Sequence, residues 1–372
     1  MPDRSSSPAA PPRAAAPPRI EDRDGLSGLL ARLRPGLPGG HGGLLALLAA
    51  LLLLFSLFVP GFASLGTLQS FAYQLPLLGL LSLAMLVPLI TGGLNLAIIA
   101  TTNQAALLMV FVMQTAMPGD AGPATVAAVI ALAMLSGLAL CLVIGLATGA
   151  LVAYTGVHPI LVTLGTKSLI DGISIYLTRG MALSGVPEAF SRVGNATLLG
   201  IPAVFFVLVV AAMVVGIVLK RTAFGISCAM IGSNIEATRY SAVDVKRVLV
   251  GVYALSSLTC FVAALVMIVT FNSASADYAQ SYLLVTILAA VLGGVDPFGG
   301  FGTVGGLMLA LAILQVISSG FNQFGLSNYL TVAIWGATLI LVVMAQTMRP
   351  HLSGLRASLF KRRAGRARGE RT

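Results

Sequence analysis

Four stretches of this chain contain no Asp, Glu, Lys or Arg: between Arg34 and Asp120, between Asp120 and Lys167, between Arg192 and Lys220, and between Asp296 and Arg349. A helix that crosses a bilayer needs only about 20 largely apolar residues, so these gaps are where membrane spans belong. Composition agrees, with 57% of the 372 residues hydrophobic and 9% charged, against roughly a quarter charged in soluble domains. Water is not the main solvent of this chain.

The net charge of +10 raises the question of nucleic acid, and the placement of the basic residues answers it. Of the 22 Lys and Arg, 19 fall in residues 1–34, 220–247 and 349–371. By the positive-inside rule these three segments face the cytoplasm, which predicts cytoplasmic N- and C-termini and an even number of spans on either side of the central segment. No nucleic-acid partner is expected.

Residues 1–40 mix Pro, Ala, Ser, Arg and acids, and predict a disordered cytoplasmic tail. The first apolar run begins only near Gly42 and reads as a retained span rather than a cleaved signal. Apolar runs separated by breakers lie near 43–60, 72–91, 96–116, 123–152, 159–179, 203–220, 248–270, 280–294, 301–319 and 327–346. Six precede the central basic segment and four follow it, which satisfies the parity. The expected organisation is an all-α, polytopic transmembrane bundle of about ten spans over 41–348, a cytoplasmic segment at 221–247, and a basic cytoplasmic tail at 349–372. The eighth run is short and enters Leu292-Gly293-Gly294-Val295-Asp296-Pro297-Phe298-Gly299-Gly300, so a broken or re-entrant helix is expected near 280–302. Gly145-xxx-Gly149 and Gly302-xxx-Gly306 have the spacing of close helix packing, a spacing that a chain with 41 glycines also produces by chance.

Several polar groups fall at membrane depth. Thr91-Gly92-Gly93-Leu94-Asn95 interrupts two spans, either as part of a polar passage or as a turn. Asn103, Gln104 and Gln114 follow in the next span, where an amide can bond a hydroxyl-rich solute or a neighbouring helix. Asp171 lies inside a span, four residues from Lys167, and is either functional or the partner of that lysine. Asn95, Asn103, Gln104 and Asn272 are the candidate pathway groups. Gly165-Thr166-Lys167-Ser168 looks like the tail of a phosphate-binding loop, but the G-x-x-x-x-G-K-[ST] pattern is absent. The three cysteines and three histidines are dispersed, so neither a metal site nor a hydrolytic triad is expected.

In the central segment, Asn234 has the character of a cap for a short helix with Glu236 in its first turn, a fit for docking a soluble partner or for a plain loop. Phe224-Gly225, Gly232-Ser233-Asn234-Ile235-Glu236-Ala237 and Ser241-Ala242-Val243 together resemble the coupling region of the ribose/xylose/arabinose-type permeases of bacterial ABC importers. Thr91-Gly92-Gly93-Leu94-Asn95-Leu96-Ala97, His158-Pro159-Ile160-Leu161-Val162-Thr163-Leu164-Gly165, Ala289-Ala290-Val291-Leu292-Gly293-Gly294 and Gly299-Gly300-Phe301-Gly302-Thr303 resemble further motifs of that family, in the same order. The chain departs from the pattern where Asn95 replaces an acid, Ala97 a serine and Ala242 a glycine.

The resemblance implies a permease subunit in the bacterial inner membrane that translocates a sugar or sugar-like solute by alternating access. It implies a cytoplasmic ATPase, a periplasmic solute-binding protein and a second permease, in a homodimer or a pair. ATP and Mg would sit on the partner subunits, with no cofactor, catalytic residue or metal in this chain. Gly232, Asn234, Glu236, Ala237 and Arg239 would couple to the ATPase. The rival reading is a self-sufficient ion-coupled secondary transporter, which needs buried acids, and only Asp171 is clearly intramembrane. A membrane-embedded enzyme would need converging His, Cys or carboxylate groups.

Overall fold

The computed structural model describes residues 41–118, 122–194, 196–198, 200–325, 327, 330–338, 340 and 344. The chain divides into units 1–42 and 43–372. The expected tails at 1–40 and 349–372 lie outside the described residues, as does Asp120.

Lipid offers no hydrogen bonds to a backbone, so an apolar run in a membrane must satisfy its own N–H and C=O groups as a helix. The runs accordingly become α1 (Gly42–Phe58), α2 (Leu65–Ile90), α3 (Ile98–Thr115), α4 (Pro123–Thr155), α5 (Pro159–Thr178), α6 (Glu188–Gly194), α7 (Ala203–Arg221), α8 (Ala223–Ser233), α9 (Ile235–Tyr240), α10 (Val245–Phe271), α11 (Tyr282–Leu292) and α12 (Val304–Gln323). The strands, β1 (Leu183–Ser184), β2 (Thr197–Leu198), β3 (Ile201–Pro202) and β4 (Ser273–Ala274), have two residues each and pair antiparallel as β1 with β4 and β2 with β3.

Among the described residues seven helices, α2, α3, α4, α5, α7, α10 and α12, are long and apolar enough to cross a membrane. The expectation of about ten spans resolves into these seven, the 17-residue α1, the 11-residue α11, and the run 327–346, whose described stretch 330–338 is helical. Local signals end the helices where the sequence provides them. Ser64 caps α2 by accepting from the Thr67 amide at 3.3 Å, Gly156 closes α4 at φ +70°, and Pro159 opens α5.

Helices α2, α3 and α10 form the inside of the bundle. Their apolar windows are 83%, 67% and 72% buried, against 22%, 17% and 17% for α4, α5 and α7, which therefore make the outer wall. Leu80, Leu81, Leu83, Met85 and Leu86 of α2 are completely enclosed. The α4–α10 seam is close because Gly145 and Gly149 carry no side chain there. A Cβ on Gly145 would lie 2.7 Å from Ser257, and one on Gly149 2.9 Å from the Val250 Cα. A separate aromatic cluster of Phe55, Phe62, Phe71 and Phe321 ties α1 and α12 to the start of α2.

One end of the bundle carries Lys220, Arg221, Arg239, Lys246 and Arg247, with Lys246 seated over the Tyr154 ring at the end of α4, 4.9 Å from its centroid. This is the basic end. The opposite end is marked by the β1–β4 pair and by Gln323, which donates to Thr67 at 3.1 Å.

Candidate functional site

At the basic end the chain turns sharply out of α7 into α8. Gly225 permits the turn, since a Cβ there would fall 2.1 Å from the Leu219 carbonyl oxygen. Asn234 then acts twice. Its backbone is extended (φ −162°, ψ 106°), which stops α8, and its side chain accepts from the Ala237 amide at 3.0 Å, which starts α9. Glu236 and Arg239 pair at 2.8 Å on the exposed face of α9. Ala242, the alanine in place of a family glycine, adopts φ +59°, a left-handed conformation that glycine enters at no steric cost. Asp244 caps α10 and pairs with Arg247 at 2.9 Å. Between α8 and α9 lies an open groove of about 360 Å³, lined by Ile226, Met230, Ser233, Asn234, Ala237 and Thr238.

Beneath this groove three glycine motifs, remote in sequence, meet as a junction. Gly300 donates its amide to the Ile90 carbonyl at 2.8 Å, joining the 293–303 turn to the end of α2. Gly232 of α8 fits over that bond. A Cβ on Gly232 would be 2.1 Å from the Ile90 oxygen and 2.3 Å from the Gly300 nitrogen. Gly299, at φ +95°, lies so close that its own Cβ would be 2.5 Å from the Gly92 nitrogen. Backbone therefore packs directly on backbone, and movement of α8 is transmitted without a flexible side chain between.

Asn95 sits in the interior, above this junction. Pro88 has no N–H, so the Ala84 carbonyl one turn earlier has no donor within α2. Ser256 of α10 supplies one, donating to the Ala84 oxygen at 2.7 Å, and Asn95 donates to Ser256 at 3.0 Å while accepting from the Ala97 amide at 3.1 Å. Asn95 thus ties the α2–α3 break to α10 and closes an orphaned backbone group.

The other amides are distributed along the bundle. Asn103 is buried on α3 and donates to two carbonyls, Ala276 at 2.7 Å and Tyr278 at 2.9 Å, and its Oδ1 has no partner. Gln104 accepts a hydrogen bond from Ser174 of α5, and Gln114 donates to the Ser184 carbonyl. Asn272 is exposed, ends α10 at φ +50°, and accepts from Ser191 at 3.1 Å. The four candidate pathway residues thus occupy three levels: Asn95 above the junction, Asn103 and Gln104 farther in, and Asn272 at the far end.

Asn103 also explains the broken span. The stretch 271–279, which the apolar runs leave as a loop between two spans, descends into the bundle instead. Ser273 pairs with Ser184, at the level of Gln114, whereas Ala276 and Tyr278 lie at the level of Asn103. Eleven residues of α3 separate those levels by about 16 Å. A nonhelical half, β4 followed by turns, and the helical half α11 together make one crossing. The break thus falls on both sides of α11, where the glycine run indicated only the second. Nonhelical backbone is tolerated at this depth because Asn103 satisfies its carbonyls.

On α5, Lys167 and Asp171 form a 2.8 Å ion pair, each side chain about one-fifth exposed. With Thr163 and Ser174, both buried, they make a polar stripe on the face that packs toward α3. Among the described residues no group of three or more His, Cys, Asp or Glu is placed to hold a metal ion. Sequence reasoning missed Ser174, Ser256 and Asp277. Asp277 was detectable as the single charged residue between Arg247 and Asp296, but the serines carry no signal apart from their partners.

Residues 67–343 match the family described as branched-chain amino acid transport system / permease component. The autoinducer 2 import system permease protein LsrD of Photorhabdus temperata is 31% identical over 292 residues, covering 77% of this chain and 84% of the relative. The protein of the same name from Yersinia enterocolitica is 32% identical over 280 residues (74% and 81% covered), and that from Salmonella typhi 31% over 281 residues (74% and 81%). No solved structure matches the chain.

Proposed function

This chain belongs to the permease family of ATP-binding-cassette importers that the match over residues 67–343 defines, and from that premise we propose that it moves autoinducer 2, or a closely related sugar-like solute, across the bacterial inner membrane. The solute assignment rests on the relatives named above, whose import systems carry autoinducer 2 in their name. The observation that carries the mechanism is the glycine junction, where Gly232 of α8 bears on the Ile90–Gly300 bond.

In this reading the basic end is cytoplasmic, as are both termini, and a separate ATPase docks on α8 and α9. Gly232 transmits, Asn234 and Ala237 hold the two helices at their angle, and Glu236 and Arg239 present opposite charges to the ATPase. ATP and Mg belong to that subunit, and this chain performs no bond chemistry. A solute-binding protein delivers cargo at the far end, near Asn272. A second permease, identical or related, completes the path, along which Gln104 is a solute contact and Asn95 and Asn103 are positioning groups. A rigid linkage that joins α8 to both the α2–α3 break and the broken span supports alternating access driven from the cytoplasm.

The test is co-purification of the tagged chain from its native membrane, identification of bound proteins by mass spectrometry, and ATPase turnover with and without autoinducer 2. Recovery of an ATPase whose turnover rises with the solute is expected. A lone chain that moves the solute down an ion gradient in liposomes would overturn the proposal in favour of a secondary transporter.

A further inference from the structure

Asp277 lies between the two residues whose carbonyls Asn103 holds, Ala276 and Tyr278, and its side chain is exposed. The neighbouring Thr102 donates to the Cys260 carbonyl, near the middle of α10, which sets the depth. Asn103 lies eleven residues, about 16 Å, along α3 from Gln114, whose side chain meets β1 at the far end, about half of a hydrocarbon core about 30 Å thick. A carboxylate on one short methylene cannot reach an interface from there, as a lysine or arginine would by snorkelling. Among the described residues Asp277 makes no ion pair: the four present are Lys167–Asp171, Arg192–Glu188, Arg239–Glu236 and Arg247–Asp244.

An exposed, unpaired acid at this depth does not face lipid; such groups face a water-filled cavity or the bundle interior. Two further observations mark the same side as polar. The Asn103 Oδ1 is buried without a partner at the root of this stretch. The polar face of α5, from Thr163 through Lys167 and Asp171 to Ser174, rises from the basic end to Gln104, the residue next to Asn103.

We propose that Asp277 lines the aqueous translocation path and accepts hydrogen bonds from the hydroxyl groups of the passing solute, with Asn103 as the residue that positions it. The turn after β4 presents the carboxylate in the gap of the broken span, and the path runs along α3, between α5 and the 273–281 stretch. The solute contact rests on the importer reading; the aqueous exposure does not.

The first experiment places a thiol at the site. Asp277→Cys, in the full chain in its membrane, is treated with a charged, membrane-impermeant methanethiosulfonate, with Leu146→Cys on the outer wall as the lipid-facing control. The background is low, because Cys141, Cys228 and Cys260 are buried, and burial pushes the Cys228 thiol, outside the spans, up to about 12. Labelling of Asp277→Cys at least tenfold faster than Leu146→Cys is expected, and equal rates overturn the proposal whatever the cargo. The second compares uptake of autoinducer 2 by parent and Asp277→Asn transporters. A rise in half-saturation of about tenfold or more is expected. A parent that transports it and a variant with the same half-saturation overturn the contact, whereas a parent that transports none of it counts against the importer assignment and leaves the labelling result to decide on Asp277.

Discussion

Gly232→Ala is the smallest change that tests the junction. The added methyl would sit 2.1 Å from the Ile90 oxygen and 2.3 Å from the Gly300 nitrogen, where ordinary van der Waals contact begins at 3.4 Å. Both atoms are backbone and are bonded to each other at 2.8 Å, so neither can swing aside as a side chain would. Either that bond breaks or α8 withdraws by about 1 Å. Breaking a buried backbone bond costs about 1–3 kcal/mol and overpacking a close contact about 1–3 kcal/mol, together about 2–6 kcal/mol. At about 1.4 kcal/mol per factor of ten, the docked arrangement of α8 loses at least roughly 30-fold in population. Thermal unfolding in detergent and solute-stimulated ATPase activity of the assembled transporter read the effect. Gly165→Ala is the control, since nothing lies within 4 Å of a Cβ there. Gly232→Ala is expected to melt lower and to lose stimulation while still binding the ATPase. Melting and stimulation equal to those of Gly165→Ala would refute backbone-on-backbone transmission.

Glu236→Lys breaks an exposed pair worth less than about 1 kcal/mol to the fold, so the melting temperature is expected to hold while the co-purified ATPase falls; unchanged co-purification and transport remove Glu236 from the docking face. Lys167→Met leaves Asp171 without its partner inside a span, a loss of about 3 kcal/mol, and is expected to lower yield and melting temperature. Adding Asp171→Leu is expected to restore both, and a single variant as stable as the double one would deny the pair a structural role.

The architecture was legible because the bilayer imposes a simple code. Charge-free runs became helices, and the basic residues of 220–247 lie at one end of the bundle. Short motifs such as Asn234 and its following turn were legible too, since a cap acts on backbone three residues away. What sequence could not show depends on distant partners. Gly92, Gly232 and Gly300 were visible one by one as breaks or family matches, but their meeting is a property of three-dimensional packing. Asn95 read as a pathway group because an amide at membrane depth needs a partner, and its partner, Ser256, lies 161 positions away. The descent of 273–281 was hidden for a related reason. Its polar residues look like a surface loop until Asn103 is found holding their carbonyls.

Pro88 gives the end of α2 a mechanical property of its own. Because it cannot bond to Ala84, the backbone ladder misses a rung before the final turn, and the hydroxyl of Ser256 on α10 takes the Ala84 carbonyl in its place. A hydroxyl can rotate and keep its bond through small tilts that would shear a helical N–H···O contact. The last turn of α2 therefore works as a compliant pivot between a rigid shaft and the point where α8 presses. Substituting Pro88 by alanine would not merely straighten the helix; it would stiffen the element that lets the stroke at the basic end become rotation within the bundle.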